Sequence, residues 1–199
     1  MPARNQKKHI CGAKKVRAIP IQISPTHHSM KSSILLLCLL TLTGFAGSAQ
    51  AQRFFIQLFG ADGKMIRGNS IARGFERQIE ARSFTSSLQS PELQFTMNTD
   101  PASAVLQRNV KSGEHIRGLV TVVEGNSDAR ARTIYTVTFD KATVISCIDA
   151  AGQGQTITTV KLQVERIGLT HYEQKKSGAS TVSSKSGYDF TANREWDLF

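Results

Sequence analysis

The stretch Thr99–Gly113 is the one clear helix in a body otherwise composed of alternating and β-branched runs broken by Gly, Asn and Asp. Asp100 reads as an N-cap, and Pro101 fits the first helical position, where its missing N–H is no loss. Ala102, Val105, Leu106 and Val110 follow i, i+3, i+4, i+8 spacing and fall on one face. Arg108 and Lys111 sit where the helix dipole favours cations, and Gly113 suits a left-handed stop. So short a helix is marginal alone. Its apolar stripe needs a surface, and only a sheet is available to provide one.

The remaining runs describe that sheet. Phe54–Phe59 is an apolar strand halted by the turn signal Gly60-Ala61-Asp62-Gly63. Lys64–Gly74 is an irregular stretch with breakers at Gly68, Asn69 and Gly74, a candidate contact loop with a plain solvated loop as the alternative. Phe75–Ala81 is ambiguous, because Phe75 and Ile79 have helical spacing while the continuation through Phe84 reads as strand. Leu93, Phe95 and Met97 alternate and lead directly into the helix. Ile116–Val123 has apolar residues of both parities, which predicts a strand covered on both faces. Gly125–Asp128 reads as a turn.

Tyr135, Val137 and Phe139 alternate, then the phase slips at Asp140-Lys141-Ala142 before Val144–Ile148. A one-residue slip exchanges faces, so a bulge or a tight connection is expected there. Ala150–Gly154 reads as a loop. Val160, Leu162 and Val164 alternate, and the phase slips again before Ile167. Gln174–Gly187 reads as a mobile tip, followed by the strand Tyr188–Thr191 and a polar tail. Seven or eight strands with phase slips and one helix predict a mainly β domain, a barrel or sandwich with the helix packed against it.

The chain's 199 residues carry a formal net charge of +10. Seven of the 25 basic residues lie in positions 1–51, which hold no acid, leaving the rest with 18 basic against 15 acidic groups, a net of +3. That small excess argues against nucleic acid as a partner. Cys11 and Cys38 also lie in the first region, so Cys147 alone remains in the body and no internal disulfide can form there. Cys147 reads as a buried, inert thiol rather than a reactive one.

Residues 30–51 have the tripartite form of a secretory signal peptide. Lys31 is the cationic start, Ile34–Leu42 the apolar segment, and Ala49-Gln50-Ala51 the small-residue cleavage site. Cleavage is expected after Ala51, giving a mature chain that begins at Gln52 and is secreted or periplasmic. The apolar segment falls short of the roughly 20 residues that span a bilayer, so no stable membrane anchor is expected. Cys38 lies within the apolar segment after Leu36-Leu37, unlike a lipoprotein site. Residues 1–29 are basic and read as unstructured, with Met30 as the start and an unusually long cationic region as the alternative.

Catalytic chemistry finds no anchor in this sequence. His115 and His171, the only histidines after residue 51, lie outside any G-x-S-x-G, H-E-x-x-H or P-loop pattern. His115 is explained by the helix C-terminus before it. Glu76 and Glu80, flanked by Arg73, Arg77 and Arg82, read as a solvated charged face rather than an acid–base pair. No catalytic residues, metal or cofactor are expected. Trp196 either docks on a neighbour or frays.

In their order these blocks resemble the haemolysin-coregulated protein (Hcp) family, the tube proteins of type VI secretion. Ile66-Arg67-Gly68-Asn69-Ser70 is similar to the family's I-x-G-E-S loop, with Asn69 in place of the acid. Ile79-Glu80-Ala81-Arg82-Ser83-Phe84 resembles its I-E-x-x-S-F strand. Asp100-Pro101-Ala102-Ser103-Ala104-Val105-Leu106 resembles the D-x-x-S-P-x-L helix entry, with the proline displaced. Gly113-Glu114-His115-Ile116, Tyr135–Phe139 and Gly187–Asn193 match later blocks. The resemblance covers about Phe54 to Glu195.

It implies a closed β-barrel with one flanking helix over residues 52–199, self-assembly into hexameric rings that stack into tubes, and a non-enzymatic role as conduit or carrier for secreted effector proteins. It also places Lys64, Met65, Ile66, Arg67, Gly68, Asn69 and Ser70 in a loop that reaches the neighbouring ring. Two departures stand out. Family members carry no leader, and Arg67 with Asn69 alters the charge pattern of the loop. They keep open an alternative, a Sec-exported binding or carrier module on the same barrel that no longer builds tubes.

Overall fold

The computed structural model describes residues 52–125, 131–152, 154–175 and 179–199. The leader, including Ala49 and Ala51, lies outside them, as does the turn expected at 126–128; Gln52 is the first residue of β1. The described residues form nine strands and one helix. In order these are β1 (Gln52–Phe59), β2 (Met65–Ile66), β3 (Ile79–Ser87), β4 (Ser90–Asn98), α1 (Pro101–Ser112), β5 (His115–Glu124), β6 (Arg132–Gly152), β7 (Gln155–Gln174), β8 (Ser180–Asp189) and β9 (Arg194–Glu195).

All pairings are antiparallel. They run β4-β3-β1-β5-β6-β7, and β7 pairs back onto β4, so six strands close on themselves. Closure removes the open edges that a flat sheet would leave there. The hub is β7. Residues 157–163 pair with β4 and residues 166–174 with β8, while β6 runs along the other side from Gln155 to His171. The phase slip before Ile167 falls at this change of partner. β8 and the short β9 extend the sheet beyond the barrel, and β2 pairs with the end of β1.

Alternation fills the interior. Ile56 and Leu58 of β1, Leu93, Phe95 and Met97 of β4, Val120 and Val122 of β5, Val137 and Phe139 of β6, and Val160, Leu162 and Ile167 of β7 are all buried in one core. Each such side chain contributes about 1.5–3 kcal/mol through removal from water. β5 is covered on both faces, as its mixed parity implies. Val120 and Val122 face the barrel, while Val123 joins Phe55 and Ala72 in a second small cluster outside it.

The slip at Asp140–Ala142 is a bulge inside one continuous strand, not a connection. Ile116 pairs with Ala142 but Gly118 with Phe139, so β6 carries one residue more than β5 across that span. Lys141 takes the left-handed conformation, φ 49°. A second shift against β7 between Val144 and Ser146 leaves Ile145 exposed. Two expectations are corrected and one ambiguity is resolved. Ala150, Ala151 and Gly152 are strand rather than loop, because β6 pairs with β7 out to Gly152–Gln155, and Gly154 is a turn residue. Of the tip expected at Gln174–Gly187, residues 176–178 lie outside the described residues, and Ser180–Gly187 is strand, since β8 pairs with β7 from Ser180 onward. Its Ser/Lys-rich composition reflects side chains that project into solvent, not a lack of backbone pairing. In the Phe75–Ala81 run the strand begins only at Ile79.

The helix has the expected ends. The Ala102 N–H donates to Asp100 Oδ1 at 2.8 Å, and the Asp100 N–H donates to Ser103 Oγ at 3.1 Å, a reciprocal capping box. Gly113 is left-handed at φ 65°, and its N–H reaches the Asn109 carbonyl at 3.0 Å. Lys111 lies in the last turn and Arg108 one turn earlier. The buried face is Ala102, Ser103, Leu106 and Asn109, with Val105 half-buried against the core. Val110 is exposed, which corrects the expected stripe. The helix is rolled because Ser103 is engaged underneath it: Ser103 Oγ and Thr99 Oγ1 each lie 3.0 Å from Thr158 Oγ1. The Thr158 hydroxyl donates to Asp149 Oδ1 at 2.7 Å, and Gln107 Nε2 donates to Asp149 Oδ2 at 2.7 Å.

Candidate functional site

The candidate loop grows out of the β1–β2 hairpin. The Gly63 N–H donates to the Gly60 carbonyl and the Gly60 N–H to that of Lys64, both at 2.9 Å. The Lys64 N–H and ammonium both reach the Asp62 carboxylate and hold its pKa below the ordinary value. β2 then pairs Met65 and Ile66 with Phe59 and Leu58, which turns Ile66 into the core.

Beyond β2 the chain makes a pinned excursion. The Gly68 N–H donates to the Arg77 carbonyl at 2.8 Å, the Arg77 N–H to Ser70 at 2.8 Å, and the Ser70 N–H to Gln78 at 3.0 Å. A side chain at position 68 would run into the Gln78 backbone, which explains the glycine. Arg77 has both backbone groups committed to this bracket and sits at φ 62°, a conformation that costs a non-glycine residue about 1–2 kcal/mol.

Inside the excursion the Phe75 ring stacks on Phe55 at 4.1 Å and 9°, and Ala72 is buried beside Val123. The Arg53 guanidinium lies 4.8 Å from the centre of the Phe55 ring. The loop is therefore seated on the outer face of β1 and β5 by its own small core.

This seating sorts the seven residues singled out in the sequence. Ile66 and Ser70 are buried, Met65 and Gly68 are half-buried, and Lys64, Arg67 and Asn69 are exposed. The Asn69 N–H lies near enough to the Asp100 carboxylate to favour its charged form, which puts this part of the loop beside the helix cap. Burial raises the Asp100 pKa, partly offset by the N–H groups of Ala102, Ser103 and Asn69. Ile71, one residue beyond these seven, is 93% exposed, the most exposed large apolar side chain among the described residues. Its signal was an isoleucine inside a run of breakers and arginines.

The other candidates stay apart. His115 Nδ1 is 3.3 Å from Thr143 Oγ1, and His171 stacks on Tyr135 at 5.4 Å. Glu80 pairs with Arg53 at 3.1 Å, and Glu76 Oε1 accepts the Gly74 N–H at 3.0 Å. Cys147 is half-buried with Sγ 3.9 Å from the Ser103 carbonyl, and burial, then the charge of Asp149, pushes its pKa to about 11. Such a thiol is protonated and unreactive at neutral pH. Among the described residues no group of three His, Cys, Asp or Glu side chains is placed to hold a metal, and no helix is long and apolar enough to cross a membrane.

No protein-family model and no curated protein matches the sequence. Solved structures do match the fold. Hcp1 from Salmonella typhimurium aligns with a TM-score of 0.58 at 23% identity, over 72% of this chain and 99% of its own. Hcp1 from E. coli EAEC 042 gives 0.57 at 16% identity, over 74% and 100%. Hcp3 from Pseudomonas aeruginosa, described as a secreted protein, gives 0.56 at 18% identity, over 70% and 99%. The strand circuit, the single flanking helix and this near-complete coverage of the neighbours together identify the described body as an Hcp fold.

Proposed function

We propose that this protein is a non-enzymatic structural component of type VI secretion that assembles with itself into hexameric rings and tubes and serves as conduit or carrier for effector proteins. The observation that carries this reading is the complete Hcp-like barrel. It aligns with almost the full length of its structural neighbours. Rings need heterologous contacts, one surface of a subunit fitting a different surface of the next. The exposed residues Lys64, Arg67, Asn69 and Ile71 form a pinned, basic and apolar projection suited to the stacking contact with a neighbouring ring. Solution mass of the purified protein combined with negative-stain imaging tests this: hexamers and rings are expected, and a strict monomer at high concentration overturns it.

A second reading is favoured by one specific feature, the signal-peptide pattern at 30–51. A Sec-exported copy folds away from a cytoplasmic assembly apparatus, and the same barrel then acts as an exported binding or carrier module. A monomer or dimer holding a specific ligand selects this reading. N-terminal sequencing of exported protein is expected to begin at Gln52, and an intact leader overturns the export claim.

A further inference from the structure

The last six residues, expected to be a polar tail, lie across the outer face of the sheet. β9 pairs Arg194 and Glu195 with Asp189 and Tyr188, and the Trp196 N–H donates to the Gly187 carbonyl at 3.0 Å. The chain then crosses to Gly168, where the Phe199 ring fills a slot. Gly168 of β7 and Gly187 of β8 are directly paired, and a Cβ on either would collide with that ring. Ile167, one residue earlier, points into the core, so the two missing side chains open the slot outward.

Lys185, on the same face of β8 two residues from Gly187, clips the occupant from above. Its ammonium lies 4.2 Å from the centre of the Phe199 ring, 3.2 Å from the Asp197 carbonyl, and within hydrogen-bonding reach of the Phe199 carbonyl. The Trp196 ring packs against Phe199 at 5.0 Å. Open space remains on both sides. A cavity of about 390 Å³ borders Phe59, Leu119, Thr138 and Trp196, and another of about 540 Å³ borders Leu88, Ser186, Trp196 and Asp197. Leu198 is 84% exposed.

We propose that the Gly168–Gly187 slot is an exchange site, filled by Phe199 of its own chain in dilute solution and by the Arg194–Phe199 segment of a second copy when copies are packed together. Release removes no residue of the core cluster. Asp189 fixes the turn up to Ala192 by accepting the Thr191 and Ala192 N–H groups at 3.0 and 2.8 Å, and Asn193, at φ 49°, is the pivot beyond it. The backbone pairing, the hydrogen bonds and the ring contacts of the segment after the pivot are with β8, with the slot between β7 and β8, or within the segment. An identical segment from another copy can form these same contacts, which is the condition for a swap. The tether gives the chain's own segment an effective concentration on the order of millimolar, so exchange requires a crowded array of copies. The inference does not depend on rings or tubes.

The test uses two full-length variants in which Cys11, Cys38 and Cys147 are serine. One carries Ser186→Cys and the other, isotopically labelled, carries Asp197→Cys, positions that border one cavity. They are mixed and treated with a short bis-maleimide. A covalent heterodimer joining 186 of one copy to 197 of the other is expected, rising with concentration. Adding Phe199→Ala to the Asp197→Cys copy should lower its yield about tenfold or more, as loss of an aromatic anchor does. Absence of the product at the highest soluble concentration, or a yield indifferent to Phe199→Ala, overturns the proposal. Circular dichroism of each variant establishes that the barrel is folded in both cases. Crosslinked copies that form no rings keep the exchange and remove the tube reading, whereas rings without the crosslink do the reverse.

Discussion

Two elements lie on the outside of the strand framework, and they are held in opposite ways. Helix α1 satisfies its own ends through the Asp100–Ser103 box and Gly113, and it places Leu106, which has no exposed surface, in the core. The closing segment satisfies little by itself. It depends on two side chains that are missing, at Gly168 and Gly187, and on one lysine. The helix is thus a structural member of the fold, while the segment is an attachment that can come off without opening the core.

Damage to the helix should be the most costly. Leu106→Ala is expected to destabilise the protein by about 2–5 kcal/mol through lost burial and the cavity left behind. Leu106→Asp adds a charge with no water to solvate it and should prevent stable folding. Thermal denaturation checks both. If Leu106→Asp melts like the wild type, α1 is not a structural member and the contrast collapses.

Gly168→Ala should cost less, about 1–3 kcal/mol, because the Phe199 ring can leave the slot instead of straining the barrel. Trp196 is the only tryptophan, so displacement of the segment reads out directly as a shift of its emission towards that of a solvated indole. Unchanged emission with a large fall in melting temperature would make the segment as integral as the helix.

The same contrast explains what could be read in advance. Asp100, Pro101 and Gly113 act on backbone groups within four residues of themselves, so the helix boundaries were legible. Its roll was not, because Ser103 is drawn under the helix by Thr158, which lies 55 residues away. The strand at Ser180–Gly187 was lost because its apolar content is low, while what holds it is backbone pairing with β7. Phe199 was unreadable for the reason that matters most here: its partner is the absence of side chains on two strands that only the fold brings together. The candidate loop was half legible. Gly68, Asn69 and Gly74 announced irregular backbone, but the stacking of Phe75 on Phe55 that seats it is a tertiary event.

A smaller effect is expected at the helix cap. Asp100→Ala removes the acceptor for the Ala102 N–H and should cost about 1 kcal/mol. It should also loosen the 67–70 bracket, since the Asn69 N–H lies beside that carboxylate. Faster amide hydrogen exchange at Asn69 than in the wild type is the check, and unchanged exchange there would detach the loop from the helix.

The finest test sets Asp100 against Asp189, the carboxylate that precedes the closing segment. Asp189 is held below its ordinary value of 3.8 first by the Ala192 N–H and then by Arg166, whose Nε is 2.8 Å away. The unfolded chain therefore binds this proton more readily than the native one. The stability it contributes is complete above pH 3.8 and is lost as pH falls through the depressed native value. Asp100 has the opposite sign. Burial raises its pKa, so the native state holds the proton more tightly, and stability falls as pH climbs from 3.8 towards that raised value.

Asp189→Asn should consequently lower stability at neutral pH and flatten the acid limb of a stability–pH curve. Asp100→Asn should remove the decline just above pH 3.8. Chemical denaturation of both variants across that range separates the two contributions. If Asp189→Asn leaves the acid limb unchanged, the turn up to Ala192 is not the fixed anchor from which the segment swings, and the pivot must lie earlier in the chain than Asn193.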